Sequence, residues 1–577
     1  MSGFFACYLG RPDGLGTWRR AVAAHARWAG EPLVTTVREQ ALPDGRTLDV
    51  AWLSARPCPP PGPDGRLIPL QRNGVSLSVA GATGRLRASV PPTSPQHLYY
   101  APVDGGLALS DDLRLFPKLR SCSLDAAGIF GQLQYGVIPA PYTLFREVRR
   151  IPGGHEAEFD AQGAVRLRRA PAPAPSAADP GIPANAADPT ERVAAAVDRM
   201  LVDAPSGTIL YFSGGTDSGL LASRLARLGR RDVRLINYSF GSDDPESALA
   251  VRMARHLGFD LHVVQYDEAA VATVFERLGR DYAYPFGDLS TLPTNHLVHA
   301  TLAVAGDAPL VLEGTGADGV FGMAVKFPWW RRVYRMPPLI RRAVATAYAG
   351  LGVWRRDSFA ERVARFVRKS VVLPLSHAVV AQNGLDGIAY HVPAETREAL
   401  TAAMRDSVEA LAEEPVDRLM ALDLAVICAG HSAPKSFDPL RAGGVHAHYP
   451  YLDPAIRELG ASLAWSVKCA GGEAKAPIKT LLARDVPAGW VYRPKSGFTP
   501  PYHKLFASSP LQGFLHDVVL APANPLLEYI DRRELDGLIA RTVPPHSLSD
   551  GALDFLWALA FASGWLGQLA PPAGVEA

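Results

Sequence analysis

A chain of 577 residues is long enough for two or more domains, and its 48% hydrophobic and 20% charged content is that of a globular protein. A formal charge of +2, from 59 basic and 57 acidic residues, argues against a dedicated nucleic-acid binder. The five cysteines, Cys7, Cys58, Cys122, Cys428 and Cys469, contain no CxxC pair, so neither a disulfide framework nor a zinc site is expected.

No signal peptide is expected at the start, because Arg11 and Asp13 interrupt its short apolar run. No run has the length of a membrane span, and a cytoplasmic location is the default. Short apolar runs at 4–9, 75–79, 98–101 and 107–109, separated by turn signals, predict a β-rich domain over 1–165. Asn73-Gly74 suits a hairpin turn. Residues 166–190 are rich in Ala and Pro and predict an extended linker. From 191 to 577 an α/β domain with helical additions is expected. Its strands are predicted at 208–213, 233–240, 260–265 and 309–313, with helices at 218–229 and 245–257, the alternation of a doubly wound parallel sheet. The segment 326–369 carries twelve Lys and Arg against Asp357 and Glu361, with Trp329, Trp330, Tyr334 and Trp354 interleaved. It fits either a solvated amphipathic insertion or a docking surface for an acidic peptide or protein.

Two glycine turns carry the chemistry. Ser213-Gly214-Gly215-Thr216-Asp217-Ser218 follows an apolar run and opens a helix. Adjacent glycines let the backbone approach a ligand, and Ser213, Ser218 and the first helical N–H groups can hold pyrophosphate oxygens. Asp217 can hold Mg²⁺ on those phosphates. The Gly-Lys-Ser/Thr ending of a Walker loop is missing. The plain alternative is an ordinary strand–turn–helix. About a hundred residues on, Glu313-Gly314-Thr315-Gly316-Ala317-Asp318 again runs from strand to glycine turn. Asp217 and Asp318, from two strand ends, make a reasonable Mg²⁺ clamp.

The first of these turns resembles the SGGxDS loop of ATP pyrophosphatases, and the chain from about 191 to 505 is similar to the synthetase domain of the asparagine synthetase family. Asn237-Tyr238-Ser239-Phe240 resembles that family's adenine-side strand, and Gly287-Asp288-Leu289-Ser290 its substrate-side loop. Val445-His446-Ala447-His448-Tyr449-Pro450-Tyr451-Leu452-Asp453 resembles its VEARVPFLD segment, and Arg493-Pro494-Lys495-Ser496-Gly497-Phe498 its RxKxGF segment. The resemblance implies ATP and Mg²⁺ as cofactors. It implies ATP binding by Ser213, Gly214, Gly215, Thr216, Asp217, Ser218, Ser239 and Gly314, metal binding by Asp217 and Asp318, and a catalytic Lys495. It also implies a glutaminase-like (Ntn-type) fold for residues 1–165.

Departures narrow the expectation. Glutaminases of this type expose a cysteine after Met1 is removed; here Ser2 stands there, and a hydroxyl is a far weaker nucleophile near neutral pH. The first domain is therefore expected to be inactive, with Cys7 a buried strand residue. Asparagine synthetases carry Glu where this chain has Thr315 and Gly319. Members without the cysteine include β-lactam synthetases and lasso peptide macrolactam synthetases. The Tyr–Glu pair of the former is missing at Thr315 and His446, and a peptide α-amine, with a reference pKa of about 7.7–8.0, needs less help. The chain thus looks most like a lasso peptide cyclase, an AMP-forming carbon–nitrogen ligase. It would adenylate an Asp or Glu side chain of a core peptide and join it to the N-terminal amine. Asp288 and His446 are then candidates for orienting or deprotonating that amine. The partners implied are the core peptide, a leader peptidase and a leader-binding protein. Two rivals stay open: another amide-forming synthetase of the asparagine or β-lactam type, and a catalytically silent peptide-binding scaffold.

Overall fold

The first strand, Phe4–Gly10, is buried along its whole length because each of its faces meets a different partner. The computed structural model describes residues 4–29, 34–42, 45–54, 74–80, 85–160, 164–170, 188–241, 243–305, 307–322, 335–350, 391–409, 415–493, 502–543, 548 and 550–569. In it, Phe5, Cys7 and Leu9 share a core with Leu86, Ala88 and Phe159 of a second sheet. Phe4, Ala6 and Tyr8, on the alternate positions, meet Trp18 and Val22 of the helix Leu15–Ala29. Cys7 is a core residue as expected, and burial pushes its thiol far up.

Two antiparallel sheets stack on that shared core. One has six strands in the order Val34–Ala41, Thr47–Ser54, Phe4–Gly10, Gly106–Ser110, Tyr99–Val103, Arg149–Arg150. The other has four, Val165–Arg169, His155–Phe159, Arg85–Val90, Ser76–Ala80. Ser2, Asn73, Cys58 and residues 171–187 lie outside the described residues.

The third sheet is parallel throughout, in the order Leu261–Gln265, Arg234–Ser239, Ile209–Tyr211, Leu310–Leu312, His446–His448. The four strands expected from the sequence are present. The fifth, His446–His448, is a short edge strand that the sequence pattern did not announce. Both faces are covered, as all-parallel sheets require. Leu210, Phe212, Leu235 and Leu312 pack on one side with Leu220, Leu221 and Ala250 of two helices, Thr216–Arg227 and Pro245–Leu257. Ile209, Tyr211, Ile236 and Val311 pack on the other with Leu297 and Val298 of the helix Thr291–Ala305. Pro245–Leu257 has clear ends: Asp244 accepts from the N–H groups of Glu246 and Ser247, and Gly258 closes it at φ 75°.

Chain order reverses between Ile209–Tyr211 and Leu310–Leu312. Strands two and three continue to one side of the first, and strands four and five to the other. Such a switch point opens a crevice at the carboxyl ends of the strands, where open α/β sheets bind ligands. The chain is thus an α/β protein of antiparallel sheets followed by a parallel one. The helix Asp550–Leu569 ties them together, because its Trp557, Phe561 and Trp565 share a core with Ile129 and Leu133 of Ala126–Tyr135 and with Leu278 and Tyr282. Among the described residues, no helix is long and apolar enough to cross a membrane. Within the basic segment, the helix Pro338–Gly350 leaves Leu339 78% and Ile340 50% exposed; Arg331, Arg332 and residues 351–369 lie outside the described residues.

Candidate active site

The 213–218 loop leaves the central strand and enters Thr216–Arg227 through Gly215, which caps the helix without a side-chain bond. Its first amides therefore have no side-chain acceptor at the cap, the condition for an anion site. Gly214 adopts φ +72°, and a Cβ there would lie 2.8 Å from the Ala250 backbone, so only glycine fits. The hydroxyls of Ser213 and Ser218 are 3.1 Å apart, and Ser213 Oγ accepts from the Gly215 N–H at 3.3 Å. Ser213, Gly215, Thr216, Asp217 and Ser218 line a cleft of about 980 Å³; Gly314 and Asp318 line it from the next strand. Gly214 serves by packing rather than by facing the cleft.

Asp217 and Asp318 converge as expected, on a residue that was not. Lys475 Nζ lies 2.7 Å from Asp217 Oδ1 and 2.9 Å from Asp318 Oδ1. Burial works against this ammonium, but the two carboxylates outweigh it and hold Lys475 above its ordinary pKa, fully charged. Among the described residues, Lys475 alone combines a positive φ, 57°, with a side chain other than glycine's. That left-handed conformation costs about 1–2 kcal/mol and marks a residue held in place for its side chain. Two convergent carboxylates, with one of their two charges balanced by Lys475, suit a hard divalent ion that also takes phosphate oxygens. No cluster of three or more His, Cys, Asp or Glu among the described residues would hold a metal by itself, so an ion at Asp217 and Asp318 would share its shell with a ligand.

A second wall is a π-helical stretch, Asp423–Ser432, whose Asp423, Ile427, Cys428, His431 and Ser432 line the cleft. Lys435 follows on the helix Pro434–Ala442 and lines it too. Asp288 stands behind this wall and does not line the cleft. Its Oδ2 accepts from Lys435 Nζ at 3.1 Å and lies 3.4 Å from His431 Nδ1, and its Oδ1 accepts from Ser290 Oγ at 2.6 Å. Burial would raise this carboxyl, but Lys435 and His431 more than reverse that and hold it far below the usual range. An ionised, lysine-paired Asp288 is a poor proton acceptor and a good anchor for Lys435.

Glu313, at the end of the fourth strand, lines the cleft. It accepts from Thr315 Oγ1 at 2.6 Å and from Ser436 Oγ at 2.5 Å. Burial pushes its carboxyl above the ordinary value, against the pull of Lys435 and the two hydroxyls.

Two expected residues are corrected. Ser239 is buried, donates its hydroxyl to Gly241 O at 2.9 Å and does not line the cleft, although Tyr238, Phe240 and Gly241 do. Its side chain shapes the turn rather than meeting a ligand. His446 begins the edge strand opposite Leu310, at the amino end, and is not among the residues around the cleft. It is too far down the strand to meet an amine at the carboxyl end. Lys495 lies outside the described residues. Its described neighbour Arg493 pairs with Glu246 at 2.6 Å, and Arg493 and Lys504 both line the cleft.

Comparison with known proteins agrees with this architecture. The chain is 33% identical to the amidase chyE of Penicillium rubens over 138 residues, 21% of this chain and 20% of that protein. It is 32% identical to the amidase chry2 of Gibberella zeae over 139 residues, 22% and 20% respectively. It is 27% identical to a putative glutamine-hydrolyzing asparagine synthetase of Mycobacterium bovis over 390 residues, 64% of this chain and 56% of that one. The chain thus spans from a fifth to little more than half the length of these curated relatives. The family model for asparagine synthase matches residues 190–556, more than half of the chain and all of the cleft described above, and the protein belongs to the asparagine synthase family.

Proposed function

We propose that the chain is an ATP-dependent cyclase of a lasso-type peptide. It adenylates an Asp or Glu side chain of the core peptide and closes a macrolactam with the peptide's N-terminal amine, releasing AMP and pyrophosphate. The observation that carries this is the convergence of the 213–218 loop, Asp217, Lys475 and Asp318 in one cleft, which a second wall with Asp423, His431, Ser432 and Lys435 also lines. The loop amides and the Ser213 and Ser218 hydroxyls hold pyrophosphate. Lys475 places a fixed positive charge between the two carboxylates, beside the phosphates. Asp217 and Asp318 would hold Mg²⁺, which when bound draws charge off the phosphate oxygens. The wall at Asp423–Ser432 orients the peptide, and holding carboxylate and amine together supplies much of the rate.

Residues 1–165 form, on this proposal, a glutaminase-like unit that makes no ammonia. Ser2 and the core position of Cys7 support that. The name of one relative, a putative glutamine-hydrolyzing asparagine synthetase, favours a second function, amidation of a small acid. One experiment separates the two. A candidate core peptide incubated with enzyme, ATP and Mg²⁺ should lose the mass of one water, with one AMP and one pyrophosphate formed per ring, and glutamine should change nothing. Glutamate appearing in step with product would refute the cyclase, and peptide binding without any pyrophosphate would leave only a scaffold.

Lys495 is catalytic on the same proposal, by the resemblance of Arg493–Phe498 to the family's RxKxGF segment. Lys495→Met should lower kcat about 10²-fold, the effect of losing one electrostatic donor, with peptide affinity unchanged. Lost affinity with an intact chemical rate would make Lys495 a binding residue.

A further inference from the structure

We infer that Glu313 is the group that takes the proton from the attacking amine. The inference rests on the amide-forming function proposed above, and adds to it a role for a residue that the sequence pattern marked only as a strand end. Glu313 stands at the carboxyl end of Leu310–Leu312 and lines the same cleft as the 213–218 loop and Asp318. Its neighbour Gly314 is pressed against the loop: a Cβ there would lie 3.2 Å from Ser218 N and 3.3 Å from Asp217 Cβ. The carboxylate is therefore one residue away from the phosphate site, on the side of the second wall.

Three neighbouring carboxylates are engaged differently. Asp217 and Asp318 are paired with Lys475, and Asp288 is paired with Lys435. A lysine-paired carboxylate stays ionised and gains little from a proton. Glu313 is held by two hydroxyls, Thr315 and Ser436, each on a different oxygen. A carboxylate oxygen that accepts one such bond keeps a lone pair. The hydroxyls thus fix its orientation without using up its capacity. The groups that face it are Lys435 on Pro434–Ala442, Asp288 behind that lysine, Tyr449 after the edge strand and Tyr211 on the central strand. Burial and Asp288 raise the Glu313 carboxyl while Lys435 lowers it, with burial prevailing. Asp288 and Glu313, both acted on by Lys435's charge, are thus pushed in opposite directions, Asp288 toward a fixed anion and Glu313 toward a group that can take a proton.

The step balances without another reagent. The neutral amine nitrogen forms the C–N bond to the acyl carbon, and Glu313 takes the proton that this nitrogen sheds. The C–O bond to the phosphate breaks, its electron pair leaves with AMP, and Glu313 passes the proton to water.

The test compares the parent with Glu313→Gln, which keeps the shape and loses the base, on the same carboxylate-bearing peptide. Two nucleophiles are used: the peptide's own amine, and hydroxylamine, a much weaker base whose adduct sheds its proton to water without a positioned acceptor. Ring closure should fall at least about 10²-fold, the usual worth of a positioned base. Pyrophosphate release and hydroxamate formation with hydroxylamine should stay within about twofold of the parent. Toward acid, the parent's ring-closure rate should fall with two protonations, those of Glu313 and the amine, and the variant's with one. Glu313→Asp should recover part of the rate. Parent-like ring closure in Glu313→Gln, or an unchanged acid slope, would overturn the assignment. Loss of hydroxamate formation as well would also overturn it and make Glu313 a structural or nucleotide-site residue. A parent that forms hydroxamate but no ring would refute the cyclase alone. Methylamine, offered where it is mostly protonated, would then read Glu313 by the same criteria.

Discussion

Replacing Lys475 with methionine is expected to lower turnover roughly 10³-fold, the upper end for one lost electrostatic donor, and to leave the circular dichroism spectrum unchanged. Methionine keeps an unbranched stem and the same left-handed backbone preference as lysine, so the change removes charge and little else. Asp217 and Asp318 are left converging without their cation, but their side chains are 26% and 27% exposed, and water can solvate them. The fold therefore survives while the phosphate site turns from balanced to strongly negative. Lys475→Gly separates activity from strain. Glycine removes the left-handed penalty at φ 57°, about 1–2 kcal/mol, but also empties the volume of a side chain only 4% exposed, so this variant should be just as slow as Lys475→Met whichever way its stability moves. Measured turnover of either variant within about tenfold of the parent, well short of the loss expected for such a donor, would remove Lys475 from the phosphate site.

The parts of this site that the sequence announced are those written in adjacent residues. Strand, glycine turn and helix follow one another over 209–227, and the caps of Pro245–Leu257 are spelled out by Asp244 and Gly258. Lys475 is 258 positions from Asp217, and no local pattern reports such a pairing. One signal was available. Pro477 sets the start of the helix Ala476–Leu482, which puts Lys475 at the cap, where Ser, Thr, Asp or Asn is usual. A broken local rule of this kind marks a functional constraint. The edge strand His446–His448 was hidden for the opposite reason: three residues are too few for any periodicity, and pairing with Leu310–Leu312 defines it. Ser239 and His446 were placed by resemblance, which gives position along the chain but not which way a side chain turns or how far down a strand it sits. Asp288 was expected as a partner of the amine. Lys435, 147 positions on, claims its charge instead.

The largest effect on stability should come from Arg441→Met. Arg441 is 3% exposed, on the helix Pro434–Ala442 that also carries Lys435 and Ser436 toward the cleft. Its guanidinium donates to Asp111 at 2.6 Å, lies 3.2 Å from Asp438 and covers the Phe4 ring at 3.9 Å. It thereby fastens the cleft helix to the first strand of the antiparallel sheets. Asp111 has other donors, Gln96 at 2.6 Å and the Phe5 N–H at 2.8 Å, but no other cation within salt-bridge distance among the described residues. Methionine fills much of the volume and leaves both carboxylates buried without their countercharge. Losing one partner of a buried pair costs about 3–5 kcal/mol, which denaturant unfolding would show as a lower midpoint. Its pH dependence has a definite sign. Burial pushes the Asp438 carboxyl up to about 6 even with Arg441 opposing it, against an ordinary 3.8. The folded state therefore binds a proton more readily than the unfolded chain, and the penalty of the ionised form is fully present above pH 6. It is relieved as pH falls toward the unfolded value. Without Arg441 the carboxyl rises further, so the deficit of Arg441→Met should be largest near pH 8 and should shrink toward pH 5 (a window set by that carboxyl). A deficit that stays constant or grows toward acid would mean that the guanidinium stabilises the fold by packing on Phe4 and not by balancing these carboxylates.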